Sequence, residues 1–326
     1  MNTALSICLP TYKGVLWLGE CLNSILCQTH KNFEIVICND SLNDSREIQK
    51  LVNLYHDSRI KLFQNNKNIG YPLNIKKTTQ LANYNILFLM AQDDILLDNN
   101  LFKKIIEIFE KYPKVGAITR PYFWFEETIK FPIRYIKKCD KRIISHKDSR
   151  SYLVNLFETV GQLSGLVLQK DLITKDFSKE VFTAHIQPFL SILKTHKVYF
   201  MEDFSVAIRT SSSQTRFLPS IYNPSPTKTW VSMLKMVFPE DKYKNIRNVG
   251  IENITKHHIG LVQIKNYGNF KDLLNDILYR IKFNKSNLRS IKFWVYVLGV
   301  VLIPKFILRK AVDFYKNVIN KKFLSQ

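Results

Sequence analysis

A chain of 326 residues with 46% apolar side chains can bury a large core, in one big domain or two, and is too apolar to be disordered by composition. Its formal charge of +21 predicts an anionic partner: a phosphate-bearing ligand, a nucleic acid or an acidic membrane surface. The five cysteines are odd in number and form no CxxC pair, which argues for reduced, buried thiols rather than a disulfide or zinc framework.

The N-terminus, MNTALSICLPTYKG, has neither a basic leader nor a long apolar run, and it reads as strand and loop rather than signal peptide. ALSICLP is strand-like. VLWLGECLNSILCQT carries apolar residues at helical spacing. FEIVICND is a second apolar strand ending in acid, and DSREIQKLVNLYH is a helix with Asp44 as its expected cap. IKLFQN is a third strand. YPLNIKKTTQLAN is a helix with Pro72 in its first turn. ILFLM is a fourth strand, followed by a helix capped by Asp98 and a fifth strand, VGAIT. Alternation of this kind, with near-continuous apolar strands, predicts a mainly parallel α/β sheet with helices on both faces.

Later segments are less regular. The aromatic, basic stretch from Pro121 to about Arg142 reads as a flap or acceptor wall, and LSGLVLQK as another strand. VFTAHIQPFLSILKTH reads as a loop entering a helix, and KVYFMEDFSVAIRTSSSQTR as one or two strands and a Ser-rich loop. From about residue 217 the pattern turns basic, aromatic and helical, giving expected regions of 1–216 and 217–326. From Arg280 to the end there are eleven Lys or Arg and one acid, Asp313. The longest apolar run, Phe293 to Pro304, lies between Lys292 and Lys305 and is too short to span a bilayer.

The stretch NILFLMAQDDILLDNN carries the sharpest question, because five apolar residues run into two adjacent aspartates. Two like charges at a buried strand end either form a solvated turn or share a bound cation that relieves their repulsion. Parallel sheets bind ligands at the carboxyl ends of their strands. That rule puts PTY, ND and QDD along one edge. No glycine-rich phosphate loop follows the first strand, so a nicotinamide-dependent dehydrogenase or P-loop enzyme is disfavoured. A phosphate ligand would then need a metal such as Mg²⁺ or Mn²⁺, which favours hard carboxylate oxygens.

Taken together, SICLPTYKGVLWLGECLNSILCQTHKNFEIVICNDSLND, NNKNIGYPLNIKKTTQLA and ILFLMAQDDILL resemble family 2 glycosyltransferases of the GT-A fold. The resemblance is close over residues 4 to about 120 and looser to about 216. It implies a GT-A-type, Rossmann-like mixed, mainly parallel sheet, here followed by a basic, mostly helical C-terminal region. It also implies an inverting transferase that uses a UDP- or dTDP-linked sugar donor and Mn²⁺ or Mg²⁺. Pro10, Tyr12 and Asp40 would surround the nucleotide base, with Asn74 nearby. Asp93 would face the ribose, Asp94 would bind the metal and Arg209 would contact the diphosphate.

The chain departs from the family pattern in three places. Ala91 replaces the earlier aspartate of the acidic motif, and Ser211 stands where a histidine often follows the arginine. His185 stands where the acceptor-side base is usually a carboxylate. A histidine can serve as a general base near neutral pH; Glu180, Glu202 and Asp203 are the fallback carboxylates.

The basic tail has three readings: a solvated face, a nucleic-acid surface, or a membrane dock in which Phe293, Trp294, Tyr296 and Leu298 insert. The third suits a lipid-linked saccharide acceptor. It gives an expected place on the inner face of the plasma membrane, in surface-polysaccharide synthesis, with no specific nucleic-acid partner. The alternatives are a catalytically impaired nucleotide-sugar- or membrane-binding relative and, on charge alone, a nucleic-acid-binding protein.

Overall fold

The computed structural model describes residues 3–136, 139–140, 142–211 and 217–314. The first stretch alternates as its apolar spacing predicts. β1 (Leu5–Thr11), β2 (Phe33–Asn39), β3 (Ile60–Gln64) and β4 (Ile86–Leu89) are linked by α1 (Val15–Leu26), α2 (Ser45–Asn53) and α3 (Tyr71–Leu81). β5 (Ile95–Leu96), α4 (Leu101–Lys111), β6 (Val115–Thr119), β7 (Tyr122–Phe125), β8 (Arg134–Tyr135) and β9 (Ile143–Ile144) follow. Then come α5 (Arg150–Thr159), β10 (Val167–Gln169), α6 (Ile186–Ile192), β11 (Lys197–Phe200) and β12 (Val206–Arg209).

Eight strands form one sheet in the order β3-β2-β1-β4-β10-β6-β11-β9. β1 lies parallel between β2 and β4, and β6 is parallel to β11. Every residue of β1, β2 and β4 is buried, which is why these strands are mostly apolar rather than alternating, with Ser6, Thr11, Glu34 and Asn39 as buried polar exceptions. The short β10 enters antiparallel between β4 and β6, so the sheet is mixed. A second sheet has the order β5-β12-β7-β8. The aromatic stretch read as a flap contributes the buried strand β7, whose Phe123 packs edge-on against Tyr135 and Phe204. Asp44 does stand before α2, but its carboxylate accepts the Gly14 N–H at 3.1 Å instead of capping the helix.

The chain divides into two compact units, one of residues up to 124 with 135–209, the other of 125–134 with residues from 210 onward. The second holds α7 (Pro226–Val237), α8 (Lys244–Lys256), α9 (Ile259–Tyr267), α10 (Phe270–Phe283), α11 (Ile291–Leu302) and α12 (Lys305–Phe314). Its core includes a buried ion pair, Arg280 Nε to Asp276 Oδ2 at 2.7 Å. Asp276 also accepts from Ser225 Oγ and Thr227 N, and Arg280 donates to the carbonyls of Ile254 and His257. Arg280, the first cation of the basic tail, is therefore structural and not part of a charged surface. All five cysteines are free, four of them buried.

Candidate active site

Parallel register decides which side chains meet at the carboxyl edge. Pro10 pairs with Cys38 and Thr11 with Asn39, so Tyr12 and Asp40 leave the sheet as neighbours. The Met90 N–H donates to the Cys8 carbonyl at 3.0 Å, so Gln92, Asp93 and Asp94 turn off β4 on the other side of β1. Three polar clusters separated by dozens of residues thus share one edge.

Gln92 joins two of them. Its Oε1 accepts the Tyr12 N–H and its Nε2 donates to the Tyr12 carbonyl, both at 2.8 Å. The amide mimics a strand partner and fixes the loop that carries the Tyr12 ring. A Cβ at Gly14 beside it would displace Gln92 Oε1 and press on Thr11 Cγ2.

Asp40 is buried and holds the third side. Its Oδ1 accepts from Asn65 Nδ2 and the Ile69 N–H, and its Oδ2 from the Gly70 N–H, all at 2.8 Å. Gly70 makes this turn at φ 81°, a conformation that favours glycine. Asn74 belongs to the same network: it donates to the Cys38 carbonyl at 2.9 Å and accepts from Asn65 Nδ2 at 3.0 Å. Asp40 and Asn74, expected around the base, are thus occupied in tying the NIGYP turn to the strand ends. About one of the roughly four acceptor directions of Asp40 is left for a ligand.

The two aspartates of QDD differ. Asp94 is 4% exposed; Ser164 Oγ donates to its Oδ2 at 2.6 Å and the Arg209 N–H to its Oδ1 at 2.8 Å. Burial, then the charge of Asp93, push the Asp94 carboxyl well above the usual range. Asp93 is half-buried. Arg209 does not stand open for a diphosphate. Its Nε donates to the Asp93 carbonyl at 3.0 Å, its Nη2 pairs with Glu20, and its guanidinium lies over the Trp17 ring at 4.1 Å. It reads as a bolt that holds the acidic loop against α1. Ser212–Arg216, the rest of the Ser-rich loop, lies outside the described residues.

His185 precedes α6 and is buried. Its Nε2 lies 3.1 Å from the Val160 carbonyl and its Nδ1 2.7 Å from the Tyr71 hydroxyl. A nitrogen facing a carbonyl must carry the proton, so Nδ1 is the acceptor and Tyr71 donates to it. Burial lowers its pKa to about 4, with nearby Arg120 adding to the effect. This imidazole is neutral and both nitrogens are taken, which conflicts with the base role expected for it: a general base needs a lone pair within reach of the acceptor hydroxyl. The fallback carboxylates lie in other settings. Glu202 pairs with Arg142 and Asp203 with Lys104 on the surface, and the Glu180 backbone starts a short helical turn.

Arg120 and Ser164 are site residues that the sequence reading passed over. Arg120 directly follows β6, is fully buried, and donates to the Thr159 and Gln162 carbonyls. Burial lowers its pKa to about 10, and its charge is felt at both Asp94 and His185. Its signal was available as a lone cation closing the apolar strand VGAIT. Ser164 had none, since its importance lies in a contact made seventy residues away.

A divalent cation fits this donor set. Asp93 and Asp94 offer hard oxygens, and no group of three His, Cys, Asp or Glu suited to a metal occurs among the described residues. The protein would supply a partial shell, to be completed by phosphate oxygens and water, as Mg²⁺ and Mn²⁺ accept.

Comparison with known proteins agrees with this architecture. Residues 6–164 match the family model described as Glycosyl transferase family 2. The chain is 25% identical over 245 residues to an uncharacterized glycosyltransferase of Rickettsia conorii, covering 74% of this chain but 40% of that protein. The chain thus spans about two fifths, or less, of the Rickettsia relatives that head the comparison. It is also similar over 100 residues, at 29% identity, to the UDP-Glc:alpha-D-GlcNAc-diphosphoundecaprenol beta-1,3-glucosyltransferase WfgD of Escherichia coli, covering 31% of this chain and 39% of WfgD. Among solved structures, S. aureus TarS 1-349 in complex with UDP-GlcNAc matches with a TM-score of 0.62 at 13% identity, over 99% of this chain and 92% of that one. That likeness shows the fold, which is of the GT-A type. Residues 6–164, just under half of the chain, are of the glycosyl transferase family 2 type, by the motifs they carry and by the sheet they build.

Proposed function

We propose that this protein transfers a sugar from a nucleotide-sugar donor to a saccharide acceptor in surface-polysaccharide synthesis. The observation that carries the reading is the meeting of Tyr12, Asp40 and the QDD segment on one edge of a parallel sheet. Pro10 and Tyr12 offer an apolar and aromatic face to a pyrimidine base, with the remaining acceptor direction of Asp40 beside it. A UDP-linked donor is favoured by the UDP complexes among structures of the same fold and by the UDP-Glc donor of WfgD. The lipid-diphosphate acceptor in that name suggests a lipid-linked acceptor here.

The two aspartates divide the work differently from the expectation that Asp94 binds metal and Asp93 faces ribose. Asp94, taken up by Ser164 and the Arg209 N–H, braces the loop. Asp93, half-buried beside that buried carboxylate, is the group we assign to a cation. When bound, Mn²⁺ or Mg²⁺ would offset the charge of the departing diphosphate. Arg120 supplies fixed positive potential behind the pair. His185 holds Tyr71 in place and is a positioning residue.

Thermal-shift titration with UDP-, dTDP- and GDP-sugars, with and without Mn²⁺, tests this reading. A Mn²⁺-dependent shift with one class, lost in Asp93→Asn, is the expected result. No shift with any donor, or a shift indifferent to Asp93→Asn, overturns it.

A further inference from the structure

The second compact unit leaves a large apolar surface open. On α11 the spacing i, i+3, i+4, i+7, i+11 collects Ile291, Trp294, Val295, Leu298 and Leu302, and all five are exposed, Ile291 to 82% and Leu302 to 72%. The opposite stripe, Phe293, Val297 and Val300, is buried. Phe293 packs on His258 and Tyr296 leans on the same ring, so the expected insertion of these two side chains is replaced by that of their neighbours. An apolar helix that packs one stripe and bares another has an unfilled contact.

α12 repeats the pattern. Ten residues long, it buries none of its side chains, and it presents Phe306 and Ile307 to solvent. A helix this short is marginal in water unless a face is covered. Arg309 ties it to α9, donating to the Asn266 carbonyl at 2.6 Å and lying over Tyr267.

Charge identifies the missing surface. Between Arg280 and Phe314 there are eight Lys or Arg and one acid. Of these cations Lys285, Arg289, Lys292, Lys305 and Lys310 are exposed, bracketing the apolar stripe at both ends. A second copy of this chain packed face to face would bring like cation clusters together. A nucleic acid would satisfy the charges but gives Ile291, Val295 and Leu302 nothing to enter. A bilayer with anionic headgroups satisfies both. At 1.5 Å per residue α11 is about 18 Å long, well short of the roughly 30 Å hydrocarbon core. No helix among the described residues is long and apolar enough to cross a membrane. We propose that α11 and α12 form an in-plane dock for an anionic lipid surface, with Ile291, Trp294, Val295, Leu298 and Leu302 in the acyl boundary and the flanking lysines at the phosphates. The proposal rests on this surface alone and does not depend on the transfer reaction.

Vesicle flotation of the full chain tests it, using phosphatidylcholine alone and phosphatidylcholine with about one third phosphatidylglycerol. Expected is binding to the anionic vesicles only, weakened by salt, with Trp fluorescence quenched by lipids brominated on the acyl chain. Val295→Asp/Leu298→Asp should abolish binding and quenching with an unchanged melting temperature, because both side chains are solvent-facing. Lys292→Gln/Lys305→Gln/Lys310→Gln should weaken binding by about fivefold per charge, roughly 100-fold in all. The proposal is overturned by equal binding to neutral vesicles, or by anionic binding that survives Val295→Asp/Leu298→Asp. It is also overturned by a wild-type dimer in light scattering that this variant converts to monomer, or by retention of duplex DNA without vesicle binding.

Discussion

Two buried carboxylates at opposite ends of the same sheet meet opposite fates. Glu34, near the start of β2, accepts from Ser6 Oγ at 2.6 Å, Lys61 Nζ at 2.6 Å, and both the backbone and side chain of Asn83. Burial works against its charge, yet these donors outweigh it and hold the carboxyl below its ordinary range. Asp94, just past β4, receives two donors and a neighbouring negative charge, and its carboxyl is pushed up. A satisfied acid is a structural part. An acid left in repulsion marks a place where a positive partner is to arrive.

The largest break in that comparison should come from Asp93→Asn. Removing the charge offered to a cation is expected to lower turnover on the order of 100- to 1000-fold, with the fold intact by circular dichroism. Turnover at the wild-type rate would sink the assignment.

His185 extends the contrast to a buried base. Its folded pKa of about 4 lies below the ordinary 6.5. Below pH 6.5 the unfolded chain therefore takes up a proton that the folded chain refuses until about pH 4, and stability falls across that window by at most about 3 kcal/mol. His257 and His258 act in the same direction, so the readout is the difference from His185→Gln. Urea midpoints at pH 7 and 4.5 should diverge less in the variant; equal divergence would contradict a buried neutral imidazole.

Glu34→Gln and Asp94→Asn should move stability in opposite senses. The lowered Glu34 contributes stability above pH 4.5 that is lost as pH falls through its folded pKa. The raised Asp94 favours the fold below about pH 3.8 and works against it as pH rises. At pH 7, Glu34→Gln is expected to cost about 1–2 kcal/mol, while Asp94→Asn leaves stability unchanged or slightly higher. Chemical denaturation decides, and a matching loss in both would erase the distinction drawn here. The smallest effect is expected for Gln92→Ala. Loss of its two bonds to Tyr12 should raise the donor KM by about fivefold with kcat nearly constant. A drop in kcat alone would mean that Gln92 acts elsewhere.

Much of the fold was legible because it is written in local chemistry. The apolar runs of β1, β2 and β4 predicted strands buried on both faces, and the motif order predicted the ligand edge. The insertion of β10 against the parallel direction was not legible, since three residues, Val167 to Gln169, state no direction. Nor was the distinction between Asp93 and Asp94, which are adjacent and chemically identical.

By itself, then, the sequence determined the strand–helix alternation, the clustering of PTY, ND and QDD, and the basic, greasy character of the C-terminal helices. Periodicity and composition are properties of neighbouring residues. Only the tertiary structure decided that Asp94 is locked by Ser164 and Arg209, that both nitrogens of His185 are taken, and which stripe of α11 is bare. Each depends on groups tens of residues apart. Burial and hydrogen-bond geometry, which distinguish two chemically identical neighbours, exist only once the chain has closed around them.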